Sequence, residues 1–416
     1  MERYSEYKDS GVQWLGEIPG HWGCVQNRFI FKENVRFPQE NDTPLSLSQV
    51  DGLIPTDDMK ESSLKTSSYD NWKRVHIDDI VLNRFKAHLG VLFASKYIGM
   101  VSFHYGVFEM IRPIIPKYYE YMFHSDQFRL ILGFASKGMT VGLQNLGNAD
   151  FYNLKSLYPP IEEQHSIVSF LDDKCGKIDK MLEGKQKQIE LLAEMKQRII
   201  ADAVTRGLNP DVELKESGIF WIRHVPSHWN VRRLGHVLRK ENRERPINAE
   251  LLVCTNKAKV IKRGESKMGL IADSEDVYQG VKKGDLLIHG MDTWHGAIAI
   301  SEYDGMCTPV VHVCTSNEDV GFISLYLRYM AMMKVFKLIS NGVRQNTSDF
   351  RSWGKVAVIP CPLPPLDEQH AIVSYITDKT SKIDTLTSKL QQEIESIKEY
   401  KQRLISDVVT GQIKVS

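Results

Sequence analysis

Two glycine- and amide-rich segments carry side chains that could read DNA bases. Paired hydrogen bonds let arginine bind guanine and let glutamine or asparagine bind adenine. A turn that uses glycine and asparagine only for its backbone conformation is the alternative interpretation. The candidate contacts in these segments are Lys137, Gln144, Asn145, Arg344, Gln345 and Asn346.

A second pair of candidate segments follows two apolar runs, residues 80–82 and 286–288, each preceded by an acidic turn typical of a strand start. Each loop ends in a glycine, Gly90 or Gly296, but the residues before that glycine differ. Side chains must change to read different bases while the strand that carries them need not. Ordinary divergence of a surface loop is the alternative. The candidate contacts here are Arg84, Lys86, His88, Trp294 and His295.

Catalytic and metal-binding patterns do not emerge from the sequence. The P-D-V-E-L-K run at 210–215 resembles a nuclease pattern, but its two carboxylates lie two residues apart in a linker, and metal ligands must converge. His289 and His295 have no carboxylate or cysteine partner at ligand spacing. Neither a GxxxxGK[ST] phosphate loop nor an N-P-P-[YF] or D-P-P-[YF] methyltransferase motif is found. We therefore predict no catalytic residue, no metal and no cofactor in this chain.

Composition predicts an ordinary globular protein, with 42% hydrophobic and 25% charged residues. The six cysteines form no CxxC pair and are expected to be reduced. The net charge of +1 does not by itself indicate a nucleic-acid binder, so local clusters of lysine and arginine must carry that interpretation. No apolar run is long enough to span a membrane and the start lacks a signal-peptide pattern, so we expect a cytoplasmic protein.

The landmarks of the first half return in the second half about 206 residues later. Residues 8–22 match 215–229, residues 79–100 match 285–306, and residues 159–165 match 364–370. A period this long indicates duplication of a whole domain, not a solenoid. We predict an α+β fold with two globular domains, at 1–160 and 207–364, each followed by a long helix, at 161–206 and 365–416.

The two helical segments show heptad spacing of apolar residues, which is typical of a coiled coil. Each helix is expected to be about 42 residues, or roughly 60 Å, long. The economical partner is the other helix, which predicts an antiparallel coiled coil with pseudo-two-fold symmetry. Packing of each helix on its own domain is the alternative. The predicted packing residues are Leu171, Ile178, Leu182, Ile189, Leu192, Ile199, Ile376, Ile383, Leu390, Ile394, Ile397 and Leu404.

Two duplicated motifs together resemble a known family. One is W-L-G-E-I-P-x-H-W at 14–22, which reads W-I-R-H-V-P-S-H-W at 221–229; the other is P-P-[IL]-[DE]-E-Q-H at 159–165 and 364–370. In this order and spacing they resemble the specificity subunit of type I restriction-modification systems, over the whole chain.

The resemblance implies that each globular copy reads one half of a bipartite site in double-stranded DNA, and that the helices set the half-site spacing. It implies partners as well: two modification (methyltransferase) subunits that carry S-adenosylmethionine, and restriction/translocase subunits that use ATP and Mg²⁺. The chain itself would be non-catalytic. Two other classes stay open: a coiled-coil scaffold whose globular domains bind protein, and a self-sufficient nuclease or methyltransferase, against which the missing motifs argue.

Overall fold

The computed structural model of the chain describes residues 2–49, 51–59, 69, 71–136, 145–265, 277–340 and 349–415. It divides into two compact units. Unit 1 comprises Met1–Lys185 and Gln391–Ser416, and unit 2 comprises Gln186–Leu390. Each unit therefore combines one globular copy with parts of both long helices.

The first copy contains β1 (Tyr7–Asp9), β2 (Glu17–Pro19), β3 (Gly23–Gln26), β4 (Phe31–Glu33), β5 (Leu45–Ser48), β6 (Gly52–Pro55), β7 (Lys73–Val75), β8 (Ile80–Asn83), β9 (Leu92–Ala94), β10 (Gly99–Val101), β11 (Tyr105–Met110), α1 (Pro116–His124), α2 (Asp126–Ala135), α3 (Asn148–Asn153) and β12 (Lys155–Tyr158). The long helix α4 (Ile161–Arg206) follows.

The second copy contains β13 (Leu214–Ile219), β14 (Ile222–Pro226), β15 (Asn230–Arg233), α5 (Leu234–Val237), β16 (Leu238–Lys240), β17 (Leu252–Cys254), β18 (Val260–Lys262), β19 (Gln279–Val281), β20 (Leu286–His289), β21 (Ile298–Ile300), β22 (Gly305–Cys307), β23 (Val311–Ser316), α6 (Val320–Met332), α7 (Val335–Ile339), α8 (Trp353–Ala357) and β24 (Pro360–Leu363). The long helix α9 (Leu366–Val409) follows.

The two copies share one sheet topology. Each has a four-stranded antiparallel sheet, in the order β4-β11-β8-β9 in the first copy and β16-β23-β20-β21 in the second. Around it lie the antiparallel pairs β1-β2, β3-β12, β5-β6 and β7-β10, which return as β13-β14, β15-β24, β17-β18 and β19-β22. The duplication seen in the sequence is thus a duplication of fold.

The apolar runs 80–82 of β8 and 286–288 of β20 belong to sheets that separate two cores. Successive strand residues point to opposite faces. Ile80 and Leu82 lie in the larger core of unit 1, whereas Val81 lies in the smaller one. Leu286 and Leu287 are divided in the same way between the two cores of unit 2. Burial on both faces explains the uninterrupted apolar run, which is longer than a half-exposed strand would show.

In unit 1, the start of α4 and the end of α9 pack into one core. Leu171 of α4 and Leu404 of α9 are both buried there, among the aromatic residues of α1. Along the helices, Asp179 pairs with Lys401 at 2.6 Å and Lys185 pairs with Glu393. Because the partner number falls as the α4 number rises, the two helices run antiparallel in this unit.

In unit 2, the same arrangement is built from the other ends of the helices. Ala203 near the end of α4 shares a core with Ile372 and Ile376 near the start of α9. Lys196 of α4 pairs with Asp384 of α9 at 2.6 Å. The helices run antiparallel here too, because Ala203, later in α4 than Lys196, meets residues that come earlier in α9 than Asp384.

The predicted packing positions lie inward along both helices. The buried ones are Leu171, Ile178, Ile376, Ile383, Leu390, Ile394 and Leu404, and the half-buried ones are Leu182, Ile189, Leu192, Ile199 and Ile397.

The predicted fold class is confirmed: the chain is α+β, duplicated, with a long helix after each copy. The alternative, in which each helix packs on its own domain, also holds in part, because the first turns of α4 pack on the first copy. The helices have 46 and 44 residues, and α9 ends at Val409, before the predicted boundary.

The six cysteines are free thiols, of which all but Cys24 are buried. Burial raises the pKa of Cys254, Cys307 and Cys314 to about 12. No helix in the described ranges combines the length and the apolar character needed to cross a membrane.

Candidate nucleic-acid interface

The first candidate loop is a short 3-10 helix, Arg84–Leu89, at the end of β8. The side chain of Asn83 accepts hydrogen bonds from the backbone N–H groups of Phe85 and Lys86, both at 3.2 Å, and so caps this turn. Gly90 ends it with φ of 72°, a left-handed conformation that favours glycine. Cap and glycine together fix which side chains of the loop face outward.

Arg84 faces inward, against the expectation for a base-reading arginine. Its guanidinium donates to the Glu33 carboxylate and to the Asn148 side-chain oxygen, each at 2.7 Å. Glu33 also accepts from Lys73, at 2.8 Å, and Lys73 donates to the backbone oxygen of Tyr105, at 2.9 Å. The network joins the candidate loop to the start of β11. In this conformation Arg84 positions the loop and does not present its guanidinium to a ligand.

Lys86 and Phe85 occupy the outward positions of the loop, whereas His88 is half-buried. A turn closed by a hydrogen bond from Tyr105 N–H to the Ser102 oxygen brings Phe103 and His104 to the same end of the sheet. The His104 ring lies 3.9 Å from the Phe103 ring and 5.5 Å from the Phe85 ring, centroid to centroid. The sequence does not show this cluster because only the pairing of β8 with β11 brings its two segments together.

The second candidate loop shares with the first the preceding strand, a 3-10 helix and a final glycine, but its other residues differ. A 3-10 helix, Thr293–His295, follows β20, and Gly296 ends it with φ of 75°. His295 is exposed, while Trp294 is half-buried with the Lys337 ammonium 5.5 Å from its ring centroid. The two units thus present different chemistry from equivalent positions.

The remaining candidates divide between exposed and undescribed residues. Asn145 is exposed at the start of a described range. Lys137, Gln144, Arg344, Gln345 and Asn346 lie outside the described residues, and their role stays a prediction.

Several lysines and arginines that suggested a basic surface are tied to carboxylates of their own unit. Besides Lys73 and Arg84, Arg74 lies 3.1 Å from Asp42. Arg243 is bound by both oxygens of Asp285, and hydrogen bonding to this carboxylate raises the pKa of Arg243. These ion pairs stabilise the two copies and leave fewer free lysine and arginine side chains that could contact phosphate groups.

Within the described residues, no group of three or more histidine, cysteine, aspartate and glutamate side chains is placed to hold a metal ion.

The two motifs behind the family resemblance meet in space and form what we call the helix-start clasp. In unit 1, Glu163 of α4 accepts hydrogen bonds from Tyr4 at 2.7 Å, from the Trp22 indole at 3.0 Å and from the His21 ring at 2.5 Å. The next residue, Gln164, accepts from the backbone of Ile115 at 2.8 Å. The clasp therefore fixes the start of α4 to its own globular copy.

Unit 2 repeats the helix-start clasp. Glu368 accepts from the Trp229 indole at 3.2 Å and contacts the His228 ring at 2.7 Å. Gln369 accepts from the backbone of Asp319 at 2.9 Å. Gly207, just after α4, passes so close that a Cβ there would lie 2.8 Å from Glu368. The two motifs thus recur because together they build a structural joint.

The substitution Glu163→Gln should destabilise unit 1. Burial opposes ionisation of Glu163, but hydrogen bonds from Tyr4, His21 and Trp22 together outweigh it and lower its pKa. The introduced amide would offer one acceptor oxygen and an NH2 group that faces donors, so we expect a loss of about 1–3 kcal/mol in the free energy of unfolding at pH 7. Urea unfolding followed by circular dichroism measures the difference.

The control for this prediction is Glu162→Gln, which neutralises the neighbouring carboxylate outside the clasp. A carboxylate whose pKa is lowered by folding stabilises the protein above its unfolded pKa, and this contribution disappears as the pH falls through the folded pKa. The difference between Glu163→Gln and the parent chain should therefore shrink below the ordinary glutamate pKa of 4.5. Equal stability of the two variants at pH 7 would contradict the clasp.

Comparison with known proteins supports the resemblance. Residues 226–396 match the type I restriction modification DNA specificity domain. The chain is 24% identical to the type I restriction enzyme MjaVIII specificity subunit of Methanocaldococcus jannaschii, over 82% of this chain and 80% of that protein. It is 23% identical to the putative type I restriction enzyme MjaX specificity subunit of the same organism, over 96% of both chains.

Solved structures share the fold. A chain from a structure of the type I R-M system, solved to explain its complex assembly and conformational transition, aligns with a TM-score of 0.73 and 15% identity over 95% of this chain and 99% of that one. The HsdS subunit from Thermoanaerobacter tengcongensis aligns with a TM-score of 0.55 and 16% identity over 95% and 98%. These matches confirm the family resemblance: the chain is similar to specificity subunits of type I restriction-modification systems over most of its length, and residues 226–396 match a DNA specificity domain.

Proposed function

We propose that each globular copy reads one half of a bipartite site in double-stranded DNA. The observation that carries this proposal is the shared frame with altered contents at the two candidate loops. Asn83 and Gly90 frame Phe85 and Lys86 in unit 1. In unit 2, Met291 and Asp292 stand at the positions equivalent to Phe85 and Lys86, by the same offset of 206. An exposed cation in one copy and a carboxylate in the other suit two different half-sites.

The helices are proposed to set the spacing between the half-sites and to dock two modification subunits. S-adenosylmethionine would then be bound by those subunits, and ATP and Mg²⁺ by restriction/translocase subunits that join the complex. This chain would direct the chemistry without performing it, in the cytoplasm. The helix-start clasp supports this role. The helices can set the spacing between half-sites only if each is fixed to the globular copy that contacts DNA.

Selection of DNA from a random duplex library tests the proposal. The chain is purified with its modification subunits, and bound duplexes are recovered at about 0.15 M salt, where nonspecific phosphate binding is weakened. The expected result is enrichment of one motif with two fixed parts and an unspecified gap of constant length. Retention of DNA without sequence enrichment would contradict the proposal and favour the scaffold class, whose globular copies bind protein.

A further inference from the structure

The rings of Phe85, Phe103 and His104, which we call the ring cluster, form an exposed aromatic surface in unit 1. Phe85 is 41% exposed and Phe103 is 49% exposed. The rings of Phe103 and His104 are inclined by only 38° and those of Phe85 and His104 by 61°. The two phenyl rings each pack on the His104 imidazole and remain about half exposed, so they present apolar area that burial against a ligand would stabilise.

Partly buried ion pairs fix the two segments that carry the ring cluster. Arg84 anchors the loop that carries Phe85 to Glu33, and Lys73 anchors the first residue of β11, next to His104, to the same carboxylate. Lys73 is almost fully buried, so its contacts with Glu33 and Tyr105 are shielded from water. Both segments that supply the rings are therefore fixed to one internal ion cluster, and little conformational entropy remains to be lost on binding.

The surroundings indicate an anionic ligand with an apolar edge. Lys86, adjacent to Phe85, is exposed, and its ammonium has no ion-pair partner within the described ranges. His104 packs against the Phe103 ring at 3.9 Å between centroids, and the part of that phenyl ring that stays exposed is apolar. In the major groove, the apolar group that a phenyl ring can contact is the 5-methyl group of thymine.

We propose that the ring cluster reads thymine: Phe85 and Phe103 pack against a thymine methyl group in the half-site read by the first copy, and Lys86 binds a neighbouring phosphate. This inference rests on the proposed function. It also predicts a difference between the copies, because Met291, Pro309 and Val310 replace the three rings in unit 2. The half-site of the first copy must therefore contain a thymine on one strand.

Replacement of thymine by uracil tests the proposal, because it removes the methyl group and keeps every hydrogen-bonding atom. Each thymine of the selected site is replaced singly, and the affinity of the complex with its modification subunits is measured. We expect at least one uracil in the half-site of the first copy to weaken binding about fourfold, the value of one buried methyl group. In Phe103→Ala or Phe85→Ala, the same uracil should cause no further loss.

Phe29→Ala is the matched control, since Phe29 is 48% exposed in the same unit but outside the ring cluster. This variant should keep the full uracil effect. Two results would overturn the thymine proposal and leave the proposed function intact. One is sequence-selective binding without a uracil effect in that half-site, and the other is a uracil effect that persists in both ring variants. Absence of sequence-selective binding by the parent chain would overturn the proposed function as well.

Discussion

Exchange of unit 1 for its counterpart from a relative is expected to change one half of the methylated DNA site and to leave the other half unaltered. The exchanged part must include residues 161–185 and 391–416 as well as residues 1–160. The reason lies in the core of unit 1, where Leu404, Ile405 and Val408 of α9 pack among residues of the first copy. Tyr118 also donates a hydrogen bond to the Val409 oxygen at 2.9 Å. The methylated motif, determined by base-resolution sequencing, measures the outcome.

The control for this exchange replaces residues 1–160 alone. The start of α4 and the end of α9 would then both face a foreign core. Large-to-small or overpacked contacts at several buried positions each cost about 1–5 kcal/mol. We expect a less stable protein whose motif, where methylation persists, still changes in one half. A change in both halves after the two-part exchange would contradict independent reading by the two copies.

Insertion of one heptad into each long helix is expected to widen the gap between half-sites by about three base pairs. Seven residues lengthen a helix by about 10 Å, and base pairs rise about 3.4 Å each. The insertions are placed after Gln188 in α4 and after Gln391 in α9. The ion pair of Asp179 with Lys401 then stays on one side of both insertions and that of Lys196 with Asp384 on the other, so both pairs keep their partners. The gap in the methylated motif is the measured quantity.

Insertion into α4 alone is the informative comparison. It lengthens one helix while its antiparallel neighbour keeps its length, so the contacts made by unit 1 and those made by unit 2 cannot all persist. We expect this variant to lose most of its methylation activity and the paired insertion to regain it. An unchanged gap with full activity in the paired variant would show that the helices do not set the spacing.

Much of the fold could be predicted from the sequence because local patterns determine it. The apolar run of residues 80–82 predicted a strand, and heptad spacing predicted the two long helices. What the pattern could not show is that Val81 and Ile80 enter different cores, since both are simply apolar. Nor could it show that the end of α9 completes the core of the first copy, because that contact joins residues 291 apart, as between Tyr118 and Val409.

The candidate interface was harder to predict because its residues are placed by tertiary contacts. Arg84 has the chemistry of a base-reading residue, yet Glu33, 51 residues earlier, draws it inward. Phe103 and His104 showed no pattern in the sequence, and only the pairing of β11 with β8 brings them beside Phe85. The motifs that carry the family resemblance do not indicate the candidate interface either. Trp22 and Glu163 form a structural joint and not a surface that would contact DNA.

Base-resolution methylome sequencing of the source cell, with and without this gene, tests the central claim most directly. The account predicts that deletion removes one bipartite motif, with both half-sites lost together, and that every other methylated motif remains. Re-expression of the parent chain should restore the motif, which excludes an effect on neighbouring genes. An unchanged methylome in a cell that expresses the modification partner would contradict the account.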